Sequence, residues 1–154
     1  MKINNTTTPF LVADNSKRNW TIGVSTIAMF VFYGIPKLTG DPRSVAGFDQ
    51  FSPVLGLNSD TFRLFTGGTE IGIAIILVAS LMIASRRKIF SAMAYLLTFA
   101  TMTSGLLIEF FVRVQPAKPL VAVAIVFAAL ALFQLKATLG SLRSESRFSN
   151  PALS

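Results

Sequence analysis

FRLFTGGTEIGIAIILVASLMIA, residues 62–84, is a nearly uninterrupted apolar run that contains one acid, Glu70. A helix of about twenty apolar residues, rising 1.5 Å per residue, crosses a hydrocarbon core of roughly 30 Å. The run therefore predicts a membrane-spanning helix. A carboxylate inside it costs on the order of 2.5–3.5 kcal/mol, so we expect Glu70 to be paired, protonated or functional. Gly68 and Gly72 flank this acid, and their spacing predicts that a second helix approaches the backbone closely.

Three more apolar runs of comparable length predict an all-α integral membrane protein, a four-helix bundle. The chain is 52% hydrophobic and 14% charged, which is unusual for a soluble domain of 154 residues. Pro36, near the end of the first run, is expected to kink or end its helix. The predicted membrane domain covers residues 20–135, between polar tails at 1–19 and 136–154. Its four spans are about 20–38, 62–84, 89–112 and 117–135.

The longest connection, residues 39–61, has two interpretations. Val45, Phe48 and Phe51 recur at helical spacing, which is typical of a short interfacial helix. The alternative is an ordinary loop with scattered apolar residues. Asn58, Ser59 or Asp60 is expected to cap the span that follows.

The distribution of positive charge predicts the orientation. Four spans place both termini on one side, and that side carries the larger set of basic residues, including the Arg86-Arg87-Lys88 cluster. Cytoplasmic segments are enriched in Lys and Arg, so we expect both termini in the cytoplasm and the chain in a bacterial-type inner membrane. The net charge of +7 is thus explained without nucleic acid. The basic residues on the side of the termini are Lys2, Lys17, Arg18, Arg86, Arg87, Lys88, Lys136, Arg143 and Arg147. Those on the opposite side are Lys37, Arg43, Arg63, Arg113 and Lys118.

The chain contains no cysteine and no histidine. Disulfides, thiol redox chemistry, histidine-ligated haem, tetrahedral zinc sites and Ser-His or Cys-His nucleophiles are therefore excluded. Any redox chemistry must belong to a partner or to a diffusible cofactor, and no catalytic residue is assigned.

Polar residues near the membrane are concentrated in the outer half, where they are expected to converge on one outward-facing pocket. Lys37, Glu70 and Thr66 are its predicted centre, with Glu70 deepest; Arg63, Glu109 and Arg113 are secondary candidates. Such a pocket would bind a small polar or quinone-like head group. The alternative is that Glu70 pairs with Lys37 or Arg63 and only fixes helix register.

Several of these residues also have simpler interpretations. Glu109 and Arg113 are four residues apart, acid first, which equally predicts a local ion pair that ends a helix. Lys37 could extend toward the interface without a specific partner. A metal site on Glu70 and Glu109 is disfavoured, because carboxylate-only sites usually need more ligands.

Two short motifs resemble the DoxX/DoxD-like family of membrane proteins: YGIPKLTG at 33–40 and FTGGTEIG at 65–72. Members show a first helix that ends in a Gly-x-x-Lys-Leu-like motif and a second that bears Gly-x-x-Glu. The four-span layout matches over nearly the whole chain. By this resemblance Lys37 and Glu70 occupy the family's most characteristic polar positions, whereas Glu109 and Arg113 are not carried over.

The resemblance implies a membrane partner of oxidoreductases, of the thiosulfate:quinone or oxidative-stress kind. It implies an accessory or quinone-contacting subunit with no covalently bound cofactor, since the chain carries no redox centre of its own. Two other functions stay open. One is a small proton-coupled transporter, acting as a homo-oligomer through Glu70; the other is an anchor that recruits a cytoplasmic partner through its basic face.

Overall fold

A computed structural model describes residues 9–83, 87–113 and 115–149, with side chains from residue 17 to residue 143 within those ranges. The described chain is all-helical. Its helices are α1 (Pro9–Thr39), α2 (Pro42–Phe51), α3 (Ser59–Met82), α4 (Arg87–Phe111) and α5 (Lys118–Ser149).

Four of these helices are long and apolar enough to cross a membrane, which confirms the predicted all-α architecture with four candidate spans. Large apolar side chains point outward along them, where lipid would cover them. Phe65 of α3, for example, is 70% exposed and Phe111 of α4 is 82% exposed. The candidate spans are Lys17–Thr39, Ser59–Met82, Arg87–Phe111 and Lys118–Arg143.

The first and last helices extend further than the predicted spans, whereas α3 ends at Met82 and α4 at Phe111, just before the predicted ends of their spans. The first begins at Pro9, inside the predicted polar tail, and α5 continues to Ser149. Proline is favourable at the start of a helix, because the first backbone N–H groups have no helical partner. Pro36 does not end α1, which continues to Thr39. Residues 1–8, residues 150–154 and Arg86 of the predicted basic cluster lie outside the described residues.

The long helices pack in series: α1 on α3, α3 on α4, and α4 on α5, whereas α1 and α5 scarcely meet. The core is formed by side chains that face inward from all four. Phe30 of α1 and Ala94 of α4 are fully buried, and Ile73 and Leu77 of α3 are each 1% exposed. Successive helices therefore run up and down, with the ends of α1 and α4 near the start of α3.

Residues 42–51 are helical, which decides between the two interpretations of the long connection. Asp41 caps α2 by accepting a hydrogen bond from the backbone N–H of Arg43 at 3.0 Å. Phe48 and Phe51 of α2 are buried, and both rings pack against Phe62 of α3. Asn58 is the residue that caps α3, because its side chain accepts from the N–H of Thr61 at 2.9 Å.

The closest approach between α1 and α3 is not at the predicted glycines. A Cβ atom added at Gly67 would lie 2.9 Å from Cβ of Lys37, whereas one added at Gly68 or Gly72 would meet nothing within 4 Å among the described residues. The spacing of Gly68 and Gly72 suits close helix packing, but this face of α3 is turned away from the other helices. The prediction is therefore corrected to Gly67.

Gly67→Ala should destabilise the bundle by roughly 1–3 kcal/mol, because the added methyl group forces α1 and α3 apart. Gly68→Ala is the matched control. It should be neutral or stabilising by up to about 1 kcal/mol, since alanine favours the helix and the position is open. Unfolding of the two variants in mixed detergent, followed by circular dichroism, checks this. Equal stabilities for the two variants would contradict the assigned helix contact.

Candidate functional site

The centre of the candidate site is an ion pair between Lys37 and Glu70. Lys37 lies in the last turn of α1, and its Nζ donates to Oε1 of Glu70 on α3. The Glu70 side chain is 6% exposed and that of Lys37 is 17% exposed, so the pair is largely removed from solvent. The second carboxylate oxygen, Oε2, is buried and has no hydrogen-bond partner within the described chain. The sequence left Lys37 and Arg63 as alternative partners, and Lys37 is the one found.

Arg63 of α3 also binds Lys37, through its backbone carbonyl. Its Nη1 donates to the backbone carbonyl of Lys37, and its Nη2 donates to Asp60 at 2.9 Å. The carbonyl at the end of a helix lacks an intrahelical donor, so the guanidinium completes the end of α1. Thus α3 holds Lys37 by both its side chain and its backbone. Arg63 has a structural role here and does not line the cavity described next.

The Lys37–Glu70 pair lines a cavity of about 860 Å³ to which all five helices contribute. A volume of this order is typical of small-molecule sites, which are mostly apolar with a few polar groups. The lining is predominantly apolar, with contributions from Met29, Phe62, Met102, Ile108 and Val123. The predicted Thr66, Glu70, Lys37, Glu109 and Arg113 line the same cavity. The predicted convergence of polar groups is thus found, apart from Arg63.

Aromatic rings form one wall of this cavity. Phe48 and Phe51 of α2 lie 4.9 Å apart between ring centroids, and the Phe48 ring stands 5.5 Å from that of Phe62 in an edge-to-face arrangement. Such pairs contribute about 0.5–1.5 kcal/mol beyond the area that they bury. They hold α2 against α3, so that α2 closes the end of the cavity.

Glu109 differs from Glu70 because both of its oxygens are occupied. Oε1 accepts from Nη1 of Arg113 at 2.6 Å, and Oε2 accepts from the backbone N–H of Ala117 at 2.8 Å. Arg113 in turn donates to the amide oxygen of Gln50 on α2 at 3.3 Å. These hydrogen bonds therefore join the end of α4 to the start of α5 and to α2. Of the two interpretations of Glu109 and Arg113, the geometry favours the structural one.

The threonine hydroxyls near the pair bond back to their own helix. Thr66 Oγ1 donates to the carbonyl of Phe62 at 2.8 Å, and Thr69 Oγ1 donates to that of Phe65 at 2.9 Å. Their protons are therefore engaged, and their oxygens are left to accept a hydrogen bond. The strongest polar partner for a ligand in this cavity is consequently the Lys37–Glu70 pair.

The sequence did not identify the part that α2 plays. Ser44, Gly47, Phe48 and Phe51 of α2 line the cavity, and Gln50 binds Arg113. The helical spacing of Phe48 and Phe51 was visible, but no sequence signal places α2 against α3 and α4. The contact between Gln50 and Arg113 depends on the tertiary approach of distant segments.

No protein-family model matches the chain, and neither the curated proteins nor the solved structures include a match. Within residues 9–83, 87–113 and 115–149, no three acidic side chains come together in a way that could hold a metal ion.

Lys37→Met should lower the free energy of unfolding by on the order of 3 kcal/mol, because it leaves the Glu70 carboxylate buried without a cation. The double variant Lys37→Met/Glu70→Met should recover most of this loss, since an apolar pair needs no compensation. Denaturation in mixed detergent, followed by circular dichroism, measures both.

Lys118→Met is the matched control for these variants. Lys118 is an exposed lysine at the start of α5, and its replacement should change stability by no more than about 0.5 kcal/mol. A Lys37→Met variant as stable as this control would show that the ion pair does not hold the bundle.

Proposed function

We propose that this chain is a DoxX-like, non-catalytic membrane subunit that binds a quinone-like small molecule for a redox or oxidative-stress system. The observation that carries the proposal is the buried Oε2 of Glu70, which has no hydrogen-bond partner among the described residues and lies beside a cavity of about 860 Å³. A buried polar atom without a partner is costly, and a ligand that donates a hydrogen bond to it would remove that cost.

The ion pair offers complementary groups to the two redox states of a quinone. An ammonium group has three N–H donors, and Lys37 uses one of them on Glu70, so a quinone carbonyl could accept from another. The hydroxyl of a quinol could instead donate to Oε2 of Glu70. The apolar and aromatic lining suits a flat ring between these polar contacts.

The packing of the bundle favours a ligand that arrives from the lipid. Helices α1 and α5 scarcely meet, yet residues of both line the cavity, including Phe32 of α1 and Leu120 of α5. Phe32 is 71% exposed on the outer surface. A side opening between these two helices would admit a membrane-soluble molecule.

The proposal assigns electron transfer to a partner, because the chain has neither cysteine nor histidine. An oxidoreductase or stress-response protein at the membrane would supply the redox centre, and this chain would hold the quinone.

A proton-coupled carrier is the second candidate. It is favoured by the same buried carboxylate, since intramembrane acids often form proton relays.

Binding of ubiquinol-1 to the full chain in lipid nanodiscs tests the proposal. We expect saturable binding that weakens at least about tenfold in Glu70→Gln, because a hydrogen bond to a charged acceptor contributes on the order of 1.5–3 kcal/mol. Asp49→Asn is the matched control. It also removes one acid, but Asp49 is exposed on α2 and lies outside the cavity lining.

Equal binding by wild type and Glu70→Gln would refute the proposed role of Glu70. Absence of ubiquinol binding, together with proton-coupled flux in liposomes that Glu70→Gln abolishes, would support the carrier instead. Circular dichroism of Glu70→Gln confirms that the variant is folded in either experiment.

We also propose that the chain lies in a bacterial-type inner membrane with the start of α1 and the end of α5 in the cytoplasm. Lys17 and Arg18 lie at the start of the first candidate span, Arg87 and Lys88 begin α4, and Lys136 lies in the second half of α5, all toward that side of the bundle. Positive residues near the ends of spans are retained in the cytoplasm.

Single-cysteine variants test this orientation, because the natural chain has no thiol. Val54→Cys, in the exposed turn between α2 and α3, should react with an impermeant maleimide added to intact spheroplasts. Lys136→Cys, exposed on α5, should react only after the membrane is permeabilised. The reverse pattern of labelling would invert the proposed topology.

A further inference from the structure

A second cavity, of about 280 Å³, lies at the opposite end of the bundle from the Lys37–Glu70 pair. It is formed by the start of the first candidate span in α1, the end of α3, the start of α4 and the second half of α5. Trp20 of α1 stands at its edge, 59% exposed. Tryptophan at this position is typical of the boundary between lipid tails and head groups.

The cavity presents hydrogen-bond donors and positive charge. Arg87, Ser91 and Tyr95 line it from a single face of α4, because they are spaced four residues apart. Lys88 also lines the cavity, and none of the lining residues is an acid among the side chains that the structure describes. Arg87 therefore brings a positive charge to a site that also offers hydroxyl donors.

Two donor groups of these residues have no partner in the part of the chain that the structure describes. Tyr95 is 5% exposed, and its hydroxyl makes no hydrogen bond to any described residue although it faces the cavity. The Arg87 side chain uses Nε and Nη2 on the carbonyls of Ser80 and Leu81, each at 3.3 Å. Its Nη1 group makes no hydrogen bond within residues 9–83, 87–113 and 115–149. A buried tyrosine usually has a hydrogen-bond partner for its hydroxyl, so a ligand that offers an acceptor next to Tyr95 would supply one.

We propose that this cavity binds the head group of an anionic phospholipid. Its phosphate would accept hydrogen bonds from Arg87 and Ser91. Tyr95 lies one helical turn deeper than Ser91 and two turns, about 12 Å along the axis, deeper than Arg87, where it would donate to an ester carbonyl of the glycerol backbone. An arginine at head-group depth matches the charge of such a lipid.

The charge and the depth of this cavity favour an anionic phospholipid over a zwitterionic lipid or free inorganic phosphate. A zwitterionic lipid would bring a choline cation next to Arg87, so it should bind more weakly. Free inorganic phosphate would satisfy the residues at the mouth of the cavity but would not reach Tyr95 at the same time. Loss of the Tyr95 hydroxyl should therefore weaken the binding of a lipid but not the binding of a free anion.

Native mass spectrometry of the full chain, titrated with dioleoylphosphatidylglycerol or dioleoylphosphatidylcholine, tests the proposal. We expect one tightly retained phosphatidylglycerol, bound roughly tenfold more tightly than phosphatidylcholine. Tyr95→Phe and Ser91→Ala should each weaken its binding about fivefold, as expected for one lost hydrogen bond. Ser25→Ala, which removes an exposed hydroxyl of α1 outside this cavity, is the control and should bind as wild type.

Competition with inorganic phosphate in excess identifies the source of the phosphate group. Phosphatidylglycerol that stays bound and depends on Tyr95 supports the lipid site. Displacement by phosphate, with no effect of Tyr95→Phe, would overturn it in favour of a free-anion site. Equal retention of the two lipids would also overturn the lipid site, as would binding that Ser91→Ala leaves unchanged. If Tyr95→Phe fails to fold, the effect of Ser91→Ala on lipid binding tests the proposal in its place.

Discussion

The buried ion pair between Lys37 and Glu70 sets the register of α1 against α3. A carboxylate at this depth needs a cation, and Lys37 reaches it only because the helices approach closely at Gly67. Arg63 then fixes the backbone of Lys37 from the same helix, α3. Charge pairing and close packing therefore require the same alignment of the two helices. Neither contact could be kept if one helix slid by a turn.

Two acids at the same end of the bundle have different environments, and this difference makes Glu70 the candidate ligand-binding acid. Both oxygens of Glu109 are occupied, one by Arg113 and one by the backbone of Ala117. Glu70 has one oxygen on Lys37 and one without a partner among the described residues. A fully bonded carboxylate has little left to offer a ligand. The acid that is buried deepest is therefore also the one best able to bind something.

The sequence predicted the features that depend on composition along a single helix. The four spans follow from apolar length, and the Glu109–Arg113 pair follows from a four-residue spacing. Lys37 and Glu70 were singled out because charge is rare within such spans. The features that the sequence could not predict depend on which faces of the helices meet. The choice of Gly67 over Gly68 is a rotation of about 100° around α3, and glycine spacing alone does not specify that rotation. The position of α2 and its Gln50–Arg113 contact likewise arise only from tertiary packing.

The attachment of α1 to α3 has a consequence for biosynthesis. These helices are the first two candidate spans of the chain, and α2 alone separates them. They leave the ribosome before α4 and α5, so they can form a hairpin while the rest of the chain is still being made. In that hairpin the acid and the lysine meet before either faces lipid by itself. The costly charge of Glu70 would then enter the bilayer already neutralised, and membrane insertion would not have to wait for the complete bundle.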